Sequence, residues 1–179
     1  MSDTDLLDRI RTTPALAELL RQFDFDIARV ANGPAEPIHL AGGQPLEMVA
    51  GDASGGAYML VGAGDDRPVL YASSEGQGGL IATSLRDALT LIAGLPSLHD
   101  AMTQPFGDDG GAALRASLAE CDEELREDWP ELDEDRRRLR EGLDLPPVDG
   151  LLEALHRAAA DEDYRPISDA GDRYESMLG

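Results

Sequence analysis

Apolar residues along this chain follow two rhythms. Across 46–82 they fall in four short runs, near 46–50, 56–62, 68–73 and 78–82, each closed by Gly, Asp, Ser or Pro. That spacing predicts four strands of an antiparallel meander. Within it Met48, Tyr58, Leu60, Leu70, Leu80 and Ile81 are the expected core, with the small residues facing outward. Elsewhere the apolar positions recur every three or four residues, which predicts helices. Leu6, Leu7 and Ile10 share one face, followed by Leu16, Leu19, Leu20 and Phe23. Thr13-Pro14 should divide these into two helices, Thr as the cap and Pro in the first turn. The stretch 24–45 reads as loop, with a short strand at Ile38-His39-Leu40.

After the meander, Ser84 should cap a helix over 85–93 that lays Leu85, Leu89 and Ile92 on the sheet. A short helical segment follows at 98–102. The Gly- and Asp-rich stretch 106–111 is the expected boundary between a first region, 1–105, and a helical second region, 106–179. In the second region Leu114, Leu118, Cys121 and Leu125 form one seam. Pro130 should start the next helix, with Leu132, Leu139 and Leu143, and Pro146-Pro147 should end it. Val148, Leu151, Leu152, Leu155 and Ala159 line a last helix. Ile167, Tyr174, Met177 and Leu178 leave the tail apolar groups with which to dock. The expected class is therefore α+β: an antiparallel four-stranded meander flanked by helices, with a helical C-terminal extension.

Charge changes the picture most. The chain carries 36 acidic residues against 15 basic ones, a formal net charge of −21. Such a field repels nucleic acid and anionic membrane surfaces and draws in a basic partner. All the basic residues are arginine, so Schiff-base, Walker A and Ser-Lys chemistry are excluded. The single cysteine, Cys121, rules out an intrachain disulfide and a Cys-based zinc site. No run approaches the roughly 18 apolar residues of a membrane span, and the N-terminus lacks a basic, apolar leader, so a cytoplasmic location is expected.

Catalytic and cofactor motifs are missing. Ser54 sits in Gly-Asp-Ala-Ser-Gly, which lacks the Gly-x-Ser-x-Gly elbow. Gly76-Gln77-Gly78-Gly79 lies between two strands, the wrong setting for a phosphate loop. His39, His99 and His156 have no metal-ligand spacing, and no calcium loop is present. No cofactor and no metal are expected. A Ser-His-Asp site assembled from distant residues stays open, because its members need not be neighbours in sequence.

The central stretch resembles the SUKH superfamily of bacterial immunity proteins. The residues that carry the resemblance are Gly51-Asp52-Ala53-Ser54-Gly55-Gly56 leading into Tyr58-Met59-Leu60, Pro68-Val69-Leu70-Tyr71, Ser74-Glu75-Gly76, and Ile81-Ala82-Thr83-Ser84-Leu85 running into Leu89. It covers roughly residues 40 to 95 and leaves out the C-terminal helices. The resemblance implies a non-enzymatic protein that neutralises a cognate toxin by binding it.

The densest charge lies between Glu120 and Asp135, where ten acids face one arginine, Arg126. Asp133–Arg137 and Glu134–Arg138 have the favourable i,i+4 order, so part of this run should pair with itself. The expected function is that of an immunity protein acting through an acidic surface on a basic toxin or effector domain. Its expected contacts are Asp65, Asp66, Glu75, Asp122, Glu123, Glu124, Glu127, Asp128, Trp129 and Glu131. The alternatives are a regulatory or scaffolding module with another protein partner, and a hydrolase with a non-contiguous triad.

Overall fold

The computed structural model describes residues 1–179. Helix α1 (Asp3–Thr12) opens with a capping box: Ser2 Oγ accepts from the Asp5 N–H, and the Asp5 carboxylate accepts from the Ser2 N–H. Helix α2 (Pro14–Gln22) begins on its proline, as expected. The Thr13 side chain makes no capping bond. Its backbone is committed to both helices, donating to Ile10 O and accepting from the Leu16 N–H, and its ψ of 86° is not that of a cap. A 3-10 turn, Ile27–Asn32, leads to the short strand β1 (Ile38–His39).

The meander is present: β2 (Leu46–Gly51), β3 (Ala57–Val61), β4 (Val69–Ala72) and β5 (Gly78–Ala82) pair antiparallel in chain order. A bulge between Met48 and Ala50 breaks strict alternation in β2. Five of the six expected core residues are buried; Met48 is only half-buried. The outward face is not open. All five residues of β3 are at most 4% exposed, so both sides of the sheet are covered. On one side Tyr58, Leu60, Val69 and Ile81 meet the helices. On the other, Met59, Leu70 and Leu80 meet Leu40, Ala158 and Tyr174. That second cover is completed by β1 pairing with β6 (Ile167–Ser168), a contact between opposite ends of the chain that no local pattern announces.

Helices α3 (Leu85–Gly94) and α4 (Leu98–Thr103) follow, capped by Ser84 and Ser97, whose hydroxyls accept from the Asp87 and Asp100 N–H groups. Then come α5 (Ala112–Asp128), α6 (Leu132–Leu143) and α7 (Leu152–Ala159). Pro130 lies in the turn before α6, which starts two residues later than its sequence suggested. Asp144, with φ of 52°, ends α6 before Pro146. The region 106–179 packs on 1–105 in a continuous core: Leu114, Leu139, Leu155 and Met177 join Leu6, Ile81 and Leu89. In the tail, Tyr174 and Met177 are buried. No helix is long and apolar enough to cross a membrane.

Candidate functional site

The two connections at one end of the meander, 52–56 and 73–77, are built around a single carboxylate. Asp52 Oδ1 accepts from the Ser54 N–H at 2.9 Å, the Ser54 hydroxyl at 2.7 Å and the Gly56 N–H at 2.8 Å. Its Oδ2 accepts from the Tyr71 hydroxyl at 2.5 Å. Burial works to raise the Asp52 carboxyl, but the bonds from Tyr71, Ser54 and Gly56 outweigh it and hold the group below the usual carboxylate range. Tyr71 moves the opposite way: burial, then its bond to Asp52, push the phenol well above its ordinary value. Ser74 Oγ donates to Ser54 O and ties the two turns together.

Tyr71 is the cross-strand partner of Tyr58, and the rings lie 5.1 Å apart; Phe25 stacks on Tyr58 at 5.2 Å. The chain reaches this end of the sheet through a bridge between Asp26 and Gly51, whose N–H and C=O groups bond reciprocally. That bridge sets the preceding Phe23 and Asp24 beside the turns. From the opposite direction the tail bonds across Gly76 and Gly78 through Glu175, which brings Met177 in.

These segments enclose a cleft of about 720 Å³. Half of its lining residues are apolar, among them Phe23, Ile92, Leu98, Met102 and Trp129. Asp24, Asp52 and Glu75 contribute carboxylates, and no arginine lines it. Trp129 rests against Phe23 with ring centroids 4.7 Å apart, and its Nε1–H donates to Asp135 Oδ2. A second, smaller pocket of about 350 Å³ has Arg126, Arg136 and Arg140 in its lining. Two of those guanidinium groups are engaged: Arg126 by Glu123 and Asp133, Arg136 by Asp122.

The expected contact residues divide into four groups. Glu75 and Trp129 line the cleft. Asp65 and Asp66 do not approach it: they sit in the β3–β4 connection, at the opposite end of the meander. Asp122 and Glu123 are spent on internal pairing. Asp122 receives both terminal nitrogens of Arg136, at 2.8 and 3.0 Å, while Arg136 Nε donates to Ala93 O; Glu123 holds Arg126. Glu124, Glu127, Asp128 and Glu131 are exposed and form no ion pair; they flank Trp129 in sequence, at the end of α5 and in the turn before α6. The two anticipated i,i+4 pairs are not formed. Asp133 reaches across to Arg126, Glu134 takes Arg137 at i,i+3, and Arg138 pairs with Asp135. Helix packing turns Asp133 toward α5, which its position along α6 alone does not reveal.

Asp24, Asp52, Tyr58 and Tyr71 were not singled out as site residues by the sequence. Asp52 reads as one more turn residue, and only the register of β3 against β4 brings Tyr71 to it. None of the histidines forms a hydrogen bond with a serine or a carboxylate. His39 is exposed on β1, His99 is exposed at the cleft, and His156 Nε2 lies 2.6 Å from Ala101 O beside Phe106. No group of three or more His, Cys, Asp or Glu is placed to hold a metal ion. No protein-family model, no curated protein and no solved structure matches the chain.

Proposed function

We propose that this chain is a non-catalytic binding protein of SUKH type, an immunity protein that neutralises a basic toxin by covering part of its surface. The observation that carries this reading is that Glu124, Glu127, Asp128 and Glu131, all exposed and without ion pairs, flank in sequence the half-buried Trp129, which lines an apolar cleft. Glu127 and Asp128 stand in the last turn of α5, where carboxylates oppose the helix dipole at a cost of about 0.3–1 kcal/mol each. Neither has an ion-pair partner within the chain, and a basic partner would supply one. The free acids would speed encounter with such a partner. The cleft and Trp129 would then supply the desolvated contact on which affinity depends.

The test is binding and protection together. The protein is co-expressed with each secreted-effector or nuclease-like product encoded beside its own gene, and affinity is measured at low and high salt for the native chain and for Glu124→Arg/Glu127→Arg. Growth rescue, with affinity falling about tenfold or more in the variant and at high salt, is expected. A partner held equally well at every salt concentration and by the variant would remove the acidic surface from the mechanism. Binding without protection would replace the immunity role with a regulatory one.

A further inference from the structure

We infer that the cleft beside Trp129 receives an arginine side chain of the protein partner. The inference rests on the reading above and assigns the chemistry of its central contact. Among the residues lining the cleft are three carboxylates, those of Asp24, Asp52 and Glu75, and no arginine. In a chain without lysine this leaves His99 as the one lining side chain able to take up a positive charge, against three carboxylates. Some carboxylates elsewhere are paired with the protein's own guanidinium groups, as at Asp122–Arg136 and Glu134–Arg137. Asp24 and Glu75 form neither an ion pair nor a side-chain hydrogen bond, and both are exposed. Their accepting oxygens are free. Asp52, with both oxygens engaged, contributes charge alone.

The walls select the kind of cation. Trp129, Phe23 and Tyr71 give the cleft aromatic surface. A guanidinium is weakly hydrated and stacks on aromatic faces, while an ammonium holds its water tightly and loses more on entering. Apolar groups such as Leu98, Met102 and Met177 suit the methylene stem. A cavity of about 720 Å³ accommodates that stem together with the flanking backbone. An anionic ligand, by contrast, would meet three carboxylates with only the imidazole of His99 to set against them.

The chain has one tryptophan, so one indole N–H resonance reports on this cleft and on no other. The probes are the capped tripeptides acetyl-Gly-Arg-Gly-amide, its lysine counterpart and its citrulline counterpart, the last being an uncharged near-isostere of arginine. The arginine peptide is expected to move the indole resonance saturably, binding about tenfold or more tighter than the citrulline peptide and tighter than the lysine peptide. The double variant Asp24→Asn/Glu75→Gln should weaken arginine binding about tenfold while the rest of the spectrum stays in place; asparagine tolerates the positive φ of 61° at position 24.

Equal binding of arginine and citrulline peptides, or an indole resonance that none of them moves, overturns the inference. Binding of a whole partner protein separates it from the reading it rests on. If a toxin is bound and its affinity is unchanged in Asp24→Asn/Glu75→Gln, the arginine site falls and the immunity reading stands. If the arginine peptide binds selectively and no toxin is neutralised, the site stands and the immunity reading falls.

Discussion

The two ends of the four-stranded meander use the same residue types for different ends. Both connections are rich in Gly and Asp. At the end holding 52–56 and 73–77, one aspartate organises everything: Asp52 is 7% exposed and accepts four hydrogen bonds, one of them from a tyrosine on a neighbouring strand. At the other end Asp65 and Asp66 are exposed and bind nothing, and order comes from an arginine. Arg67 donates its backbone N–H to Asp3 Oδ2 and its Nη1 to Glu47, tying α1 to the sheet. An acid in a turn is a tip or a hub according to what the strands beside it carry. Tyr71 stands next to one turn, and no donor other than solvent stands next to Asp65.

That contrast can be broken most easily at Asp52. Asp52→Ala leaves the Gly56 N–H and the Tyr71 hydroxyl without their acceptor and should cost about 3–4 kcal/mol in urea unfolding, against under about 0.5 kcal/mol for Asp65→Ala. Similar losses at both positions would erase the distinction. Glycines should separate the two ends next. A Cβ at Gly56 would lie 2.7 Å from Asp52 Oδ2 and press on the Tyr71 hydroxyl, so Gly56→Ala should cost about 3 kcal/mol. Gly62, with φ of +84° and open space around it, should lose only about 1 kcal/mol on the same change, from the backbone conformation alone.

At the far end, Arg67→Ala leaves the backbone N–H to the buried Asp3 in place but removes the guanidinium, whose Nε lies 3.5 Å from Asp3 and whose Nη1 pairs with Glu47, and should cost about 2 kcal/mol by the same measurement. A value near zero would mean that the backbone bond and the packing of Leu6, Leu7 and Ile10 suffice to hold α1. A smaller effect follows from acidity. The Asp52 carboxyl sits below its unfolded value of about 3.9, so the unfolded chain binds more protons in that range. The contribution is complete above about pH 5 and lost as pH falls through the lowered folded value. Urea midpoints of Asp52→Asn, if it folds, should therefore vary less between pH 6 and pH 2.5 than those of the native protein. Smallest of all, Asp66→Gly should leave stability unchanged or raise it by up to about 1 kcal/mol, because Asp66 holds a φ of 55°.

Much of the architecture was legible before any coordinates. The meander, its covering helix and the helices of the second region follow from apolar spacing and turn residues, because each is a local pattern repeated over one element. The cleft was legible only in pieces. Glu75 reads as an acid in a turn and Trp129 as a lone tryptophan, and nothing in their spacing brings residues 54 positions apart into one cavity. The division of the 120–135 acids into paired and free was also hidden. It depends on which side of α6 faces α5, and so on whether Asp133 or Glu134 finds Arg126.

By itself, then, the sequence determined the elements, the α+β class and the overall negative charge, because periodicity, capping residues and composition act within a few residues of one another. Only the tertiary structure decided that both faces of the sheet are covered, that Asp52 is a hub while Asp65 is a tip, and which carboxylates remain free. Those outcomes turn on strand register, on helix rotation and on the return of 164–179 to β1 and β5. Each of these is fixed by apolar groups far apart in the chain being driven from water together, and the polar groups take whatever partners that packing leaves within reach.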